Sequence, residues 1–511
     1  MKDIKNKIGE LLESEKFSAA TMTAMLIAVV LVANTVLYTV FSLLGWQISS
    51  AMLEDFSLSG NFDETLDQAE KAGKKITILF CYPSEKDVRE HGTGGYVYRT
   101  AKAFEERYPE VVELKYVNIL THTDSDGNYL DVSKYAKDRD GNETPIAKTS
   151  VIFICGDNYK VITDIRTSAG YSDFYVLDYS GDQPDPIAYN GEETITAAMC
   201  WVLQDEHKKA YFTSGHGESI DSAFAQLVVN AGYNIASIDL KTESLPEDMD
   251  LLVISNPRTD FEASDKTTNA NSESDKLRFY LQSGGNLFVT LNSLAGELPV
   301  LESMLAENGI ALSYSENADG DRAVNIVRDI AASIVTSGYT ISAEFPDSST
   351  GIWMADTVER YSGGKVILGD VSALELSGNA QPLLVATSGA QLFAHGAATD
   401  KTGGYTLAAY STVTGKDGTT GRIVVIPTAQ MATTAALVTD GYANRNFLYS
   451  VFDQLYRSEL LPYGSNIMSF NTTTLEGLTM GTANVYTAIL LSLPVIVAVV
   501  GAVILVRRKN R

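Results

Sequence analysis

Two long uncharged apolar runs stand at opposite ends of this 511-residue chain and constrain everything between them. Phe17–Trp46 (FSAATMTAMLIAVVLVANTVLYTVFSLLGW) carries only scattered Ser, Thr, Asn and Gly, and Val485–Val506 (VYTAILLSLPVIVAVVGAVILV) is more apolar still. About 20 helical residues span the bilayer hydrocarbon, so both runs are long enough to cross it. Pro494 would only kink the second helix, which membrane helices tolerate. We therefore expect transmembrane helices over 19–46 and 485–506. Lys2, Lys5, Lys7 and Lys16 precede the first helix, and Arg507, Arg508, Lys509 and Arg511 follow the second. These cations are expected to keep residues 1–18 and 507–511 in the cytoplasm and to leave residues from about 47 to 484 outside. A cleaved signal peptide is the alternative for the first run. Its apolar stretch is about twice the usual length for one, and no small-x-small cleavage site follows.

Charge sharpens the division. The net charge is −25. Setting aside four Lys and four acids in the first 18 residues, and four cations in the last five, leaves 31 basic and 60 acidic residues between, a net of −29. Phosphate binding needs clustered Lys and Arg, so a nucleic-acid partner is excluded. The three cysteines, Cys81, Cys155 and Cys200, form no CxxC pair and no Cys/His cluster, so they are expected to be buried structural thiols. No cofactor or metal is expected, and the absence of a GxxxxGK[ST] sequence leaves ATP hydrolysis to another subunit.

Between the membrane runs the pattern is mixed α/β, read as tandem extracytoplasmic α/β domains. An acidic linker over 47–70 leads to an N-terminal α/β domain, 71–209. Ile76–Tyr82, Val111–Ile119 and Val151–Cys155 read as strands and Tyr96–Tyr108 as a helix, a spacing that favours a mostly parallel sheet. The stretch Gly191–Lys209 closes this domain, with Glu192 and Glu193 complementing a helix N-terminus. A second α/β domain, 210–460, opens with a strand at Ala210–Thr213. Strands at Tyr233–Leu240, Asp250–Ser255 and Asn286–Leu291 then alternate with helices, in a doubly wound rhythm. Arg422–Pro427 reads as a buried strand and Ala443–Tyr456 as an amphipathic helix, and 461–484 returns to the membrane.

The most chemically suggestive spot is Gly215-His216-Gly217-Glu218, between a strand and a helix, where α/β folds place ligand sites. The glycines permit close backbone approach, and His216 and Glu218 offer an acid–base pair or two metal ligands. Two ligands alone make a poor metal site. A capped turn, with Glu218 near the helix N-terminus and His216 bonded to backbone, is the structural alternative. Asp124–Asn128 and Asp138–Glu143 share part of a calcium-loop pattern but lack its closing Glu, and turn chemistry accounts for them. Ser283–Asn286 reads as a helix cap.

Several segments together resemble the GldG family, auxiliary substrate-binding-like subunits of certain ABC transporters. The resemblance is carried by NGEETITAAMCWVLQDEHKKAYFTSGHGE (Asn190–Glu218), whose end looks like the family's strand-to-GHGE hallmark. LPEDMDLLVISNPRTDF, FYLQSGGNLFVTLN and LPVLESMLAENGI follow in the expected order, and GRIVVIPTAQ and ANRNFLYSVFDQLY resemble its closing strand and helix. It implies a second domain similar to class I glutamine amidotransferase-like folds, working beside an ABC permease and its ATPase. Cargo and any role in gliding do not carry over. Such an enzyme needs a Cys or Ser nucleophile on a sharp turn after a strand. After Asp250–Ser255 the chain reads Asn256-Pro257-Arg258, and no Cys follows Cys200. The expectation is thus a non-catalytic auxiliary subunit binding cargo, envelope material or a partner protein at the GHGE turn. Its rivals are a metal-assisted hydrolase centred on His216 and Glu218, and an envelope scaffold.

Overall fold

The computed structural model describes residues 56–137, 143–165, 172–178, 184–264, 272–292, 296–361, 364–439, 441–456 and 460–470. The expected membrane helices and cytoplasmic ends lie outside these residues, as does most of the second calcium-like loop. Among the described residues no helix is long and apolar enough to cross a membrane. The chain divides after Ser57 into two compact units, and Leu58–Arg511 holds every helix and strand among the described residues.

Ile76–Phe80 forms the centre of a five-stranded sheet. It runs parallel to Val112–Asn118, and the helix Gly92–Arg107 supplies the crossover that parallel strands require. The rest of the sheet departs from the parallel expectation: Val151–Cys155 pairs antiparallel with Ile76–Phe80 and folds straight back on Asn158–Ile162. The cause is local. Gly156 takes φ +60° and, with Asp157, makes a two-residue hairpin turn that leaves no room for a crossover. The crossover helix starts at Gly92 rather than Tyr96. A Cβ on Gly95 would meet the Arg89 carbonyl oxygen at 2.8 Å, so only glycine lets this first turn pack so closely. Helix Asp63–Lys71 begins inside the expected 47–70 linker, and Met468–Ser469, within the expected return to the membrane, pairs with Tyr189 and Ala188.

The second sheet has nine strands. Tyr233–Ile238, Lys208–Thr213, Leu251–Ser255, Asn286–Thr290 and Thr420–Ile426 lie side by side and parallel. Thr406–Thr414, Leu374–Leu376 and Ile310–Leu312 extend them antiparallel, and Gln381–Val385 also pairs with Thr406–Thr414. Strand Leu251–Ser255 is buried throughout, as a central strand covered on both faces must be. Its residues alternate between two cores. Leu251 and Val253 meet Phe224 and Leu227 of helix Ser222–Asn230 and Phe447 and Phe452 of helix Asn444–Tyr456. Leu252 and Ile254 meet Leu277 and Leu281 of helix Glu273–Gln282 and Leu301 and Met304 of helix Pro299–Glu307. Helices therefore cover both faces, and the doubly wound expectation holds for this sheet.

Helix Gly191–Leu203 is buried at every position, because strands Val151–Cys155 and Asn158–Ile162 of the first sheet contact it and so does helix Ser222–Asn230 of the second. Its opening acids are therefore not solvated partners of the helix dipole. Glu192 accepts hydrogen bonds from Ser59 Oγ at 2.6 Å and Asn466 N at 2.9 Å, and Glu193 pairs with Arg445 at 2.7 Å and with the Tyr449 hydroxyl. Burial holds the Tyr449 hydroxyl well above the usual tyrosine range, reinforced by the Glu193 charge, so it stays a donor. Glu193, Arg445, Asn190 and Asn230 line a cavity of about 50 Å³, room for a few waters.

Candidate functional site

The sheet order sets the place of the site. From Lys208–Thr213 the chain turns to one side, to Tyr233–Ile238, and then crosses to the other, to Leu251–Ser255. Such a reversal opens a crevice at the carboxyl ends of the strands. The loop Ser214–Ile220 and the loop after Ser255 both leave the sheet there, so the GHGE turn sits at the topological switch.

That crevice is filled by the chain itself. Gly215 and Gly217 take φ +105° and +68°, left-handed values that suit glycine, and between them His216 turns inward to 6% exposure. The His216 carbonyl accepts N–H bonds from Arg258 at 2.8 Å and Thr259 at 3.0 Å, which ties the two loops together. Its ring stacks on Phe261 with centroids 3.9 Å apart. Nδ1 lies 3.2 Å from the Asp260 carbonyl oxygen and Nε2 lies 2.9 Å from Glu273 Oε1. Glu273, 1% exposed, also accepts the Glu262 N–H at 2.8 Å.

Both ring nitrogens thus face oxygens. A carbonyl can only accept, so Nδ1 carries a hydrogen. The contact at Nε2 then needs one shared proton, either as imidazolium against carboxylate or as neutral imidazole receiving the carboxyl hydrogen. In both forms no ring nitrogen is left for a metal or a substrate. The Asp260 carboxylate caps helix Pro299–Glu307, accepting N–H bonds from Val300 at 2.7 Å and Leu301 at 3.1 Å.

Glu218 does not stand at a helix N-terminus, as the capped-turn alternative had it. Its Oε2 accepts the N–H of His216 at 2.8 Å, and the helix starts later, at Ser222, capped by Asp221. The turn therefore brings His216 and Glu218 together through backbone, with the two side chains on separate duties. Among the described residues no three His, Cys, Asp or Glu side chains lie close enough to hold a metal ion.

Asn256 is the residue after the buried strand Leu251–Ser255, and it is neither Cys nor Ser. It follows a central strand at φ +53° and is 7% exposed, and its N–H donates to the Thr290 carbonyl at 2.9 Å. A left-handed residue just past a strand is one feature of a nucleophile elbow, but here an amide stands in place of a thiol or hydroxyl and the next helix begins only at Glu273. The neighbouring Ser255 hydroxyl is committed to the Ser219 carbonyl at 3.0 Å.

Sequence reasoning placed His216 in the loop after a strand but missed Glu273, Asp260 and Phe261, which surround its ring. The Phe261 ring and the Asp260 cap fall in an irregular loop with no periodicity to flag them. Glu273 lies 57 positions away, in the first turn of a helix where an acid is ordinarily explained by the dipole. Cys81 and Cys200 are buried as expected, but Cys155 is only half-buried. Burial pushes the Cys81 thiol up to about 12.

No family model and no curated protein matches this chain. Among solved structures, the N-terminal domain of mmIFT52 is similar at 16% identity and a TM-score of 0.36, over 49% of this chain and 99% of that one. PurLQS from Thermotoga maritima is similar at 9% identity and a TM-score of 0.27, over 49% of this chain and 100% of that one. A ThuA-like protein from Bacteroides uniformis follows at 10% identity and a TM-score of 0.28, over 48% and 89%.

Proposed function

We propose that this chain is a non-catalytic, membrane-anchored auxiliary subunit of an ABC transporter, whose two-sheet extracytoplasmic body binds cargo, envelope material or a partner protein. The anchoring follows from the two apolar runs and their cationic flanks, and the transporter from the resemblance between Asn190 and Ile310. The amidotransferase-like reading of the second sheet is supported by its five parallel strands and by the left-handed residue after Ser255.

The single observation behind the non-catalytic reading is the closure of His216. Its two ring nitrogens are spent on Asp260 and Glu273, and the elbow position beside it holds an amide. A hydrolase centred on His216 and Glu218 would have to break a buried pair before it could begin. The permease and ATPase are identified by purifying the tagged chain from gently solubilised membranes. Both subunits should be recovered in fixed ratio. Recovery of this chain alone, under conditions that keep other transporters intact, would reject the transporter reading and leave the scaffold.

A further inference from the structure

With the switch-point crevice filled, the open space at the carboxyl edge of the second sheet lies one step along. Past the ends of Asn286–Thr290 and Thr420–Ile426 a cavity of about 290 Å³ opens between Leu291, helix Pro299–Glu307 and the hairpin formed by Tyr314–Glu316 and Arg322–Val324. Its volume sits at the lower bound of about 300 Å³ for small-molecule sites.

The wall is divided by chemistry. Leu291, Leu298 and Leu312 supply an apolar side. In the polar part of the lining Tyr314 donates its hydroxyl to Glu302, at 2.8 Å and 3.0 Å from the two oxygens, and Glu302 also accepts the Leu298 N–H at 2.8 Å. The Glu302 carboxylate is thereby occupied and the Tyr314 ring is fixed. Over that ring, 4.2 Å from its centroid, lies the Arg322 guanidinium. Arg322 reaches Glu297 only at 4.0 Å, and both side chains are nearly half exposed. An exposed pair at that separation is weakly held, so each charge can take a better partner. The fully buried Ser372 hydroxyl in the same wall has no hydrogen-bond partner among the described residues.

A simple anion would meet Glu297 and Glu302, and a simple cation would meet Arg322. A neutral polyol would leave the ion pair unused and lie against leucines. We propose that this cavity binds a small zwitterion with an apolar body, of the size and charge pattern of an apolar α-amino acid. Its carboxylate replaces Glu297 on Arg322, its ammonium replaces Arg322 on Glu297, and its side chain lies on the leucine wall. The inference concerns a site separate from the GHGE turn and holds whether or not the chain works beside a transporter.

The test is titration calorimetry of the purified full-length chain with L-leucine and L-phenylalanine. Saturable binding is expected, with a Kd at or below about 1 mM. N-acetyl-leucine and leucinamide, which each lack one charge, should bind about tenfold more weakly or worse. Arg322→Gln and Glu297→Gln should each cost a similar factor, with an unchanged thermal midpoint because both side chains are surface groups. Should either variant fail to fold, the two modified ligands still read the same charges. Absence of saturable binding by both amino acids, equal binding by the blocked derivatives, or a preference for glucose would overturn the proposal.

Discussion

Replacing His216 by alanine removes the partner of a carboxylate that is 1% exposed. As imidazolium and carboxylate, the pair broken from one side costs about 3–5 kcal/mol, because the remaining charge is stranded; as neutral imidazole and carboxyl it costs about 1–3 kcal/mol for the unpaired group. The stack on Phe261, at 3.9 Å, contributes about 0.5–1.5 kcal/mol of its own. The expected loss for His216→Ala is therefore about 2–5 kcal/mol, a large share of the roughly 5–15 kcal/mol that holds a folded domain, and a fall in Tm of roughly 3–10 °C. Glu273→Gln should behave differently. The amide can donate to Nε2 of a neutral imidazole while its oxygen keeps the Glu262 N–H, so every group stays satisfied and the cost stays under about 1 kcal/mol. In the double variant only a neutral amide is left unpaired, at about 1–3 kcal/mol, so Glu273→Gln should rescue part of the His216→Ala loss. Urea unfolding followed by near-ultraviolet circular dichroism measures all three. A His216→Ala loss below about 1 kcal/mol would mean that the imidazole is free for another task, whereas a full loss with no rescue in the double variant would identify the neutral form of the pair. Functional groups are often neutral to stability or costly to it.

Three further outcomes follow from other parts of the structure. Arg445→Met strands Glu193 between the layers and should destabilise by about 3 kcal/mol, the lower end of the range because water can enter the adjoining cavity; Glu193→Gln added to it should recover part of the loss in the same unfolding assay. Burial alone would raise the Glu113 carboxyl, but hydrogen bonds from Lys115, Lys75 and Thr77 hold it down at about 2. A depressed carboxyl contributes stability that is present above its ordinary value of 4.5 and lost as pH falls towards 2, so Glu113→Gln should flatten the stability–pH curve in that window and leave the curve above about pH 5 parallel to the parent. Burial raises all three thiols, but Cys81 and Cys200 are enclosed whereas Cys155 is half-buried. A thiol reagent at neutral pH should therefore modify Cys155 first and reach the other two only on unfolding, as mass spectrometry of timed samples will show.

The second sheet was legible because parallel strands covered on both faces are written as unbroken apolar runs, of which Leu251–Ser255 is the plainest. Glycines marked where helices stop: Gly232 and Gly284 both take left-handed φ just past a helix end. The first sheet was less so. Strand Val151–Cys155 looks the same whether its neighbour is parallel or antiparallel, and the Gly156-Asp157 pair that folds it back on Asn158–Ile162 is a hairpin signal that could have been read. Glu192 and Glu193 had an adequate local explanation at a helix start, whereas their partners come from Ser59, Arg445, Tyr449 and Asn466. Likewise the GHGE motif named the histidine but not its surroundings, since the groups that close it come from another loop and from the first turn of a helix. Local patterns carry the elements, and the commitments of buried polar groups are set by contacts distant in sequence.

The central claim is that the acidic two-sheet body works on the outer side of a membrane. Leu120, 81% exposed at a hairpin, offers a direct reporter. In a Cys155→Ser background, Leu120→Cys should react with a membrane-impermeant maleimide added to intact, wall-stripped cells, to the same extent as after lysis. Labelling only after lysis would place the body in the cytoplasm and remove the physical basis of the transporter reading.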